Sequence, residues 1–285
     1  MQATSAGKPD RGAVRFATLG LALVLGTLAA PLARAHFTIL IPDRPAVAKG
    51  EPVTLSVLYG HPFERELGVL KRPAALWVRS PQGLLTDLTG RLVPLAGTVR
   101  EDGVASGWQV RFTPEERGDW VVFMRAEPVS NGKEELTDFV KVVIHVGTEQ
   151  GWDATLGQPL ELVPLTRPYG LRAGLSVRAQ LLRDHHPLPG TPVFVERYND
   201  APPPPGTLPP GEHITRIEKT DPNGVLAATL DAPGWWMLAA EAPAVSVPLG
   251  ERRLQWVHRA VLWVYVDEVP AGWRRPAEGE AERER

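Results

Sequence analysis

The residues with the most specific chemistry are histidines, and the first of them depends on how the chain is processed. Ala33-Arg34-Ala35 has the pattern of a signal-peptidase site, so cleavage after Ala35 makes His36 the first residue of the mature chain. An N-terminal histidine offers a metal ion two nitrogens, its α-amine and its ring Nδ1. One further imidazole completes a planar set of three nitrogens that suits Cu(II) or Ni(II).

Further candidate ligands follow in the first half of the chain. His61 lies in the segment Gly60-His61-Pro62-Phe63-Glu64 at the end of an expected strand, and Glu64 could ligate the metal or orient an imidazole. His145 is on a later strand, and we expect it to lie close enough to His36 and His61 to complete the site.

The other histidines are weaker candidates. His258 begins the equivalent strand of the second half and is supported only by the internal repeat described below. A histidine within a strand is more often a packed residue than a ligand. We expect His185 and His186, which sit in a turn, and His213, in a proline-rich loop, to be solvated.

The segment before His36 predicts export. Residues 1–35 combine a basic start with an apolar run, Phe16–Ala30, which is shorter than the roughly 20 residues that span a bilayer. The expected result is a cleaved signal peptide and a periplasmic mature protein. Without this leader the chain keeps 27 basic and 32 acidic residues, a net charge of -5. Cations are therefore more suitable partners than nucleic acids.

Composition predicts an all-β fold. The chain of 285 residues has 29 prolines and 27 glycines, too many for a helical bundle, and no cysteine for a disulfide or thiolate metal site. Short alternating runs recur between turn signals such as Asp221-Pro222-Asn223-Gly224. No signature of a nucleotide-binding loop, hydrolase or zinc protease is present, so we expect a protein that is not an enzyme.

The chain also repeats itself once. Residues 108–127 and 225–242 share the order strand, turn with glycine, aromatic residue, strand, Ala-Glu, and each half ends in an apolar closing strand. This pattern predicts two tandem immunoglobulin-like β-sandwich domains, 36–147 and 155–268, which we expect to meet through a modest interface. Residues 269–285 are charged and predict a disordered tail.

Several segments of the mature chain resemble one protein family. They are AHFTILIP at 35–42, GHPFE at 60–64, DFVKVVIHV at 138–146, VPLTRPYGL at 163–171, TDPNGV at 220–225, PGWW at 233–236 and LWVYVDE at 262–268. The chain is thereby similar to periplasmic "nickel transport family" proteins of unknown function, the NikK-type accessory component of energy-coupling-factor nickel and cobalt transporters. The resemblance implies His36, His61, Glu64 and His145 as metal ligands, and less strongly Asp138.

The sequence therefore predicts an exported accessory protein that captures nickel, or cobalt or copper, for an energy-coupling-factor-type transporter in the inner membrane. Two alternatives stay open. A copper ion on an N-terminal His with a second His also suits an oxidative enzyme acting on polysaccharides, which would need a flat aromatic surface. A structural or adhesive sandwich without metal is the other.

Overall fold

A computed structural model describes residues 36–95, 107–130, 134–249 and 252–268. The expected signal peptide, 1–35, and the expected disordered tail, 269–285, lie outside these residues. Helix is confined, in the described part, to the 3-10 turn Thr89–Arg91 and the short α1, Gly211–Ile214. None of the described helices has the length and apolar character that crossing a membrane requires.

Strands make up the first half of the molecule. They are β1 (Phe37–Pro42), β2 (Val53–Gly60), β3 (Ala75–Arg79), β4 (Leu85–Asp87), β5 (Val93–Pro94), β6 (Gly107–Phe112), β7 (Gly118–Arg125), β8 (Val129–Ser130) and β9 (Glu134–Val146). The alternating segments of the sequence coincide with β2, β3, β6, β7 and β9 to within a few residues. β1 is different, because its six residues are all buried and it shows no alternation.

The second half is also built from strands. They are β10 (Leu160–Pro164), β11 (Leu171–Arg172), β12 (Leu175–Arg183), β13 (His186–Pro187), β14 (Pro192–Arg197), β15 (Thr215–Lys219), β16 (Val225–Leu230), β17 (Gly234–Leu249) and β18 (Arg252–Asp267). The fold is therefore all-β, as the sequence predicts.

Three sheets form the sandwich layers. The first sheet has the order β1-β2-β6-β5, and the second has the order β10-β12-β13, with β16 also paired to β12. The third has ten strands along the path β15-β14-β17-β18-β9-β7-β3-β4, with β11 on β18 and β8 on β9. Each half thus places a small sheet against its own part of one large sheet, which is an immunoglobulin-like sandwich arrangement.

The two halves share the large sheet, so the expectation of a modest interface is wrong. The closing strands β9 and β18 pair in parallel from Glu134↔Gln255 to Val142↔Trp263. Each closing strand would otherwise leave a long edge of unpaired backbone groups, and pairing the two edges satisfies them. One apolar core accordingly contains residues of both halves, such as Val122 with Met237 and Trp263.

The join between the halves is held by a buried ion pair. Lys141 and Glu161 contact each other with almost no exposure, and the Lys141 ammonium also donates to the carbonyl of Ala154. Glu161 accepts hydrogen bonds from the backbone N–H groups of Leu156 and Gly157. The segment around 154–161 is therefore fixed by side chains that the sequence analysis did not single out.

Candidate functional site

Strand register brings His36 and His61 together. β1 and β2 are antiparallel, and their last pair at this end is Phe37↔Gly60. One step beyond it, His36 faces His61, because residues opposite each other in an antiparallel ladder point to the same face. The two rings meet edge to face with centroids 4.6 Å apart, and the ring of Tyr59 lies 5.4 Å from that of His36.

A tight loop presents His61 and Glu64. The backbone N–H of His61 donates to the carbonyl of Glu66 at 3.0 Å, and that of Arg65 donates to the carbonyl of His61 at 3.0 Å. Gly60 permits this closure, since a Cβ atom there would lie 2.0 Å from the carbonyl oxygen of Glu66. Glycine is therefore required where β2 ends, one residue before the candidate ligand.

Glu64 lies beside His61 in this loop. Its Oε2 atom is 3.8 Å from His61 Nδ1 and is buried without a hydrogen-bond partner among the described residues. A buried carboxylate oxygen with free lone pairs is unusual, because most such atoms are satisfied. Glu64 is therefore able to accept a hydrogen bond from an N–H group, or to bind a cation, next to His61.

The second half of the chain holds this loop in place. Glu196, at the end of β14, accepts from the backbone N–H of Phe63 at 3.0 Å and from the Thr215 hydroxyl at 2.7 Å. Asn199 donates its side-chain amide to the carbonyl of Phe63 at 2.6 Å. Burial raises the pKa of Glu196 to about 7, against the two hydrogen bonds, which lower it.

A buried network also reaches the backbone of His36. The Arg259 guanidinium donates to the carbonyl of His36 at 2.8 Å and to both carboxylate oxygens of Asp138 at 2.9 and 2.8 Å. The hydroxyl and the backbone N–H of Thr38 also donate hydrogen bonds to the Asp138 carboxylate, at 2.6 and 3.2 Å. Asp138 is thus occupied by an ion pair and is not available as a ligand, contrary to its weaker candidacy from the sequence.

The surroundings of the His36 ring favour its neutral form. Partial burial lowers the pKa of His36, and so do His61 and Arg259, while Glu66 opposes them. A neutral imidazole keeps the lone pair that a metal ion needs. The His36 ring can therefore offer a ring nitrogen near neutral pH.

The structure separates His145 from this pair, so the expectation that it completes the site is wrong. Asp138 is next to Thr38, whereas His145 is seven positions further along β9, about 23 Å at roughly 3.3 Å per residue. The His145 ring instead bonds Asp119 through Nδ1 at 2.8 Å and stacks on Tyr169 at 4.3 Å. An alternating pattern predicts the face of the sheet on which a side chain lies. It does not predict which end of the strand lies beside a given site.

The remaining histidines lie elsewhere. His258 packs edge to face on Phe139 and lines a cavity of about 220 Å³ with Asp184, and burial lowers its pKa. His185, His186 and His213 are exposed, which confirms the expectation of solvated side chains. In the ranges that the structure describes, no three side chains of His, Cys, Asp or Glu are grouped so that they could hold a metal. A third ligand beside the two rings would therefore have to be the α-amine of His36, while Glu64 lies next to His61 and is not grouped with both rings.

Four tryptophans of the described residues have packing roles. Trp120, Trp235 and Trp236 are buried, and the indole N–H of Trp236 donates to the carbonyl of Ala232 at 2.8 Å. Trp108 is half-buried and donates to the carbonyl of Leu70 at 3.0 Å. These rings do not form the flat exposed surface that a polysaccharide-binding enzyme would use.

The fold and the histidine pair thus define an all-β sandwich protein with a candidate cation site at the start of β1. The chain belongs to the family described as "Domain of unknown function (DUF4198)", whose model matches residues 33–244. No curated protein matches the chain.

The chain is also similar to several solved structures. The D0-D1 domain of intimin is 12% identical with a TM-score of 0.22, and the match covers 81% of this chain and 100% of the intimin chain. Trypsin-activated alpha-2-macroglobulin from Escherichia coli is 12% identical with a TM-score of 0.25, and the match covers 80% of this chain and 16% of the macroglobulin. The human OSCAR ligand-binding domain is 15% identical with a TM-score of 0.19, and the match covers 80% of this chain and 97% of the OSCAR chain. At these scores the likenesses carry no argument about function.

Proposed function

We propose that the protein is exported to the periplasm and captures Ni(II), or Co(II) or Cu(II), for an energy-coupling-factor-type transporter in the inner membrane. The observation that carries this proposal is the contact of the His36 and His61 rings at 4.6 Å. The resemblance to nickel transport family proteins and the acidic mature chain support it. Nothing in the role requires catalysis.

The proposed ligands are the α-amine and ring Nδ1 of His36, the ring of His61, and the Glu64 carboxylate beside it. Two imidazoles and an amine form the nitrogen set that Ni(II) and Cu(II) prefer. Glu64 supplies negative charge, either to the metal itself or to the His61 ring that binds it. The signal peptide must be removed first, because an uncleaved leader keeps the His36 nitrogen in a peptide bond.

The test uses the full chain, exported with its own leader from a bacterial host and recovered from the periplasm. Mass measurement should place the new N-terminus at His36, and titration followed by native mass spectrometry should show one nickel bound. His36→Ala should weaken nickel binding at least tenfold, since even changes outside the ligand set cost about 10–100-fold. His213→Ala is the matched control, because it removes an exposed histidine remote in sequence from the site.

Three results would contradict the proposal. Cleavage at another bond removes the amine from the ligand set. An unchanged dissociation constant in His36→Ala excludes the histidine pair. Oxidation of a polysaccharide by the copper-loaded protein, dependent on a reductant, would favour the oxidative enzyme instead.

A further inference from the structure

Arg259 is a fully buried cation that comes from the last described strand and contacts His36, the proposed first residue of the mature chain. Its guanidinium is 0% exposed and lies 2.8 Å from the carbonyl oxygen of His36. We infer that Arg259 is a positioning residue, which orients His36 for metal binding without touching the metal. This inference rests on the proposed function.

Strand register explains how Arg259 reaches the site. Arg259 and Asp138 are paired directly in the parallel ladder of β18 and β9, so their side chains leave the sheet on the same face. Asp138 accepts two hydrogen bonds from Arg259, which fixes the planar guanidinium. The same NH2 group donates its second hydrogen bond to the His36 carbonyl.

The contact matters because the site lies at the start of β1. The ends of a chain fray unless they are tied down, and a chelate of amine and ring nitrogen needs both in a fixed relation. The carbonyl of His36 is held by Arg259, while the N–H of Thr38 is held by Asp138 at 3.2 Å. Together these bonds fix the backbone that carries the α-amine and the ring.

Charge balance allows a cation to stand here beside a metal site. Arg259 faces Asp138 at 2.8 Å and Glu241 at 3.3 Å, and it lies 4.5 Å over the ring of Phe37. Two carboxylates thus lie beside the guanidinium, and their negative charge limits the repulsion between Arg259 and a bound divalent ion. A hydrophobic replacement would leave Asp138 buried without its cation.

It follows that the metal site belongs to the whole chain. β18 is part of the second half, so residues 36–150 alone lack the group that orients His36. On this inference the metal site needs both halves, although all of its proposed ligands lie in the first half.

The test compares two buried cations in the full chain recovered from the periplasm. Arg259→Met removes the positioning group, and Lys141→Met removes a buried cation of another ion pair. Both should lower thermal stability, but Arg259→Met should weaken nickel binding at least tenfold and change the electron paramagnetic resonance spectrum of the Cu(II) form. Lys141→Met should leave the affinity and spectrum of the wild type.

The outcomes separate this inference from the proposed function. Wild-type protein that binds no nickel overturns both. Binding by the wild type with the same affinity and spectrum in folded Arg259→Met overturns the inference alone. If Arg259→Met does not fold, Arg259→Lys is used, because an ammonium can pair with Asp138 but lacks the fork that also reaches His36. Unchanged affinity and spectrum in that variant would then overturn the inference.

Discussion

Gly60→Ala should damage the loop that presents His61 and Glu64, and the structure gives the size of the effect. A Cβ atom at position 60 would lie 2.0 Å from the carbonyl oxygen of Glu66 and 2.9 Å from Cα of Leu67. Real contacts of this kind stay above 3.0 Å, so the backbone of the loop must move by at least about 1 Å. Neither contact is with a flexible side chain that could give way.

The expected cost follows from the rigidity of the surroundings. Forcing an extra carbon into a packed site costs about 1–3 kcal/mol, so we expect a loss near 2 kcal/mol. For a protein of this size that corresponds to a fall in Tm of roughly 4–8 °C. The displaced loop carries His61, so nickel affinity should also fall at least tenfold.

The assay is thermal unfolding together with nickel titration of the exported full chain. Gly90→Ala is the matched control, since a Cβ atom at that position meets nothing within 4 Å and the backbone there is not left-handed. Gly90→Ala should keep the Tm and the affinity of the wild type. If Gly60→Ala also kept both, the loop closure at Gly60 and its link to the His61 site would be wrong.

Two further predictions concern protons. Burial raises the pKa of Glu196 in the folded protein to about 7, so its contribution to stability is full below pH 4.5 and is lost as the pH rises through 7. Glu196→Gln should flatten this decline in stability, measured by urea unfolding between pH 5 and 8. An unchanged slope of stability against pH would contradict the prediction. Nickel affinity should fall as the pH drops from about 8 to 6, because the α-amine of His36 must lose a proton to bind. Calorimetric titration at several pH values checks this, and a flat profile would favour a site built on carboxylates.

The sequence was most informative where one face of a strand is buried. β2 is the clearest case, because buried residues alternate with partly exposed ones along most of its length. β1 gave no such pattern, because both of its faces are covered. The pairing of β9 with β18 could not be predicted either, since two apolar closing strands do not reveal that they are neighbours.

Part of the candidate site could also be predicted from the sequence. His36 and His61 could be proposed because each adjoins the end of a strand, and the register then places them opposite each other. His145 is on a strand of the same half, but the sequence does not show that it lies near the far end of β1. Glu196 and Arg259 were missed, although a charged residue inside an apolar strand, as in Arg259-Ala260-Val261-Leu262, signals a buried ion pair that something must satisfy.

The arrangement of the site links metal binding to the completion of the fold. On the proposed function, the candidate ligand His36 follows a removable leader directly, and Arg259, which holds its carbonyl, is on the last described strand. The amine becomes free only when the leader is removed, and the guanidinium arrives only when β18 has paired with β9. A chain that is still being exported, or that has folded only in its first half, therefore lacks both the nitrogen and the group that orients it. On the proposed function, nickel binding is then confined to protein that has lost its leader and has paired β18 with β9. Bound nickel would therefore show that leader removal and folding are both complete.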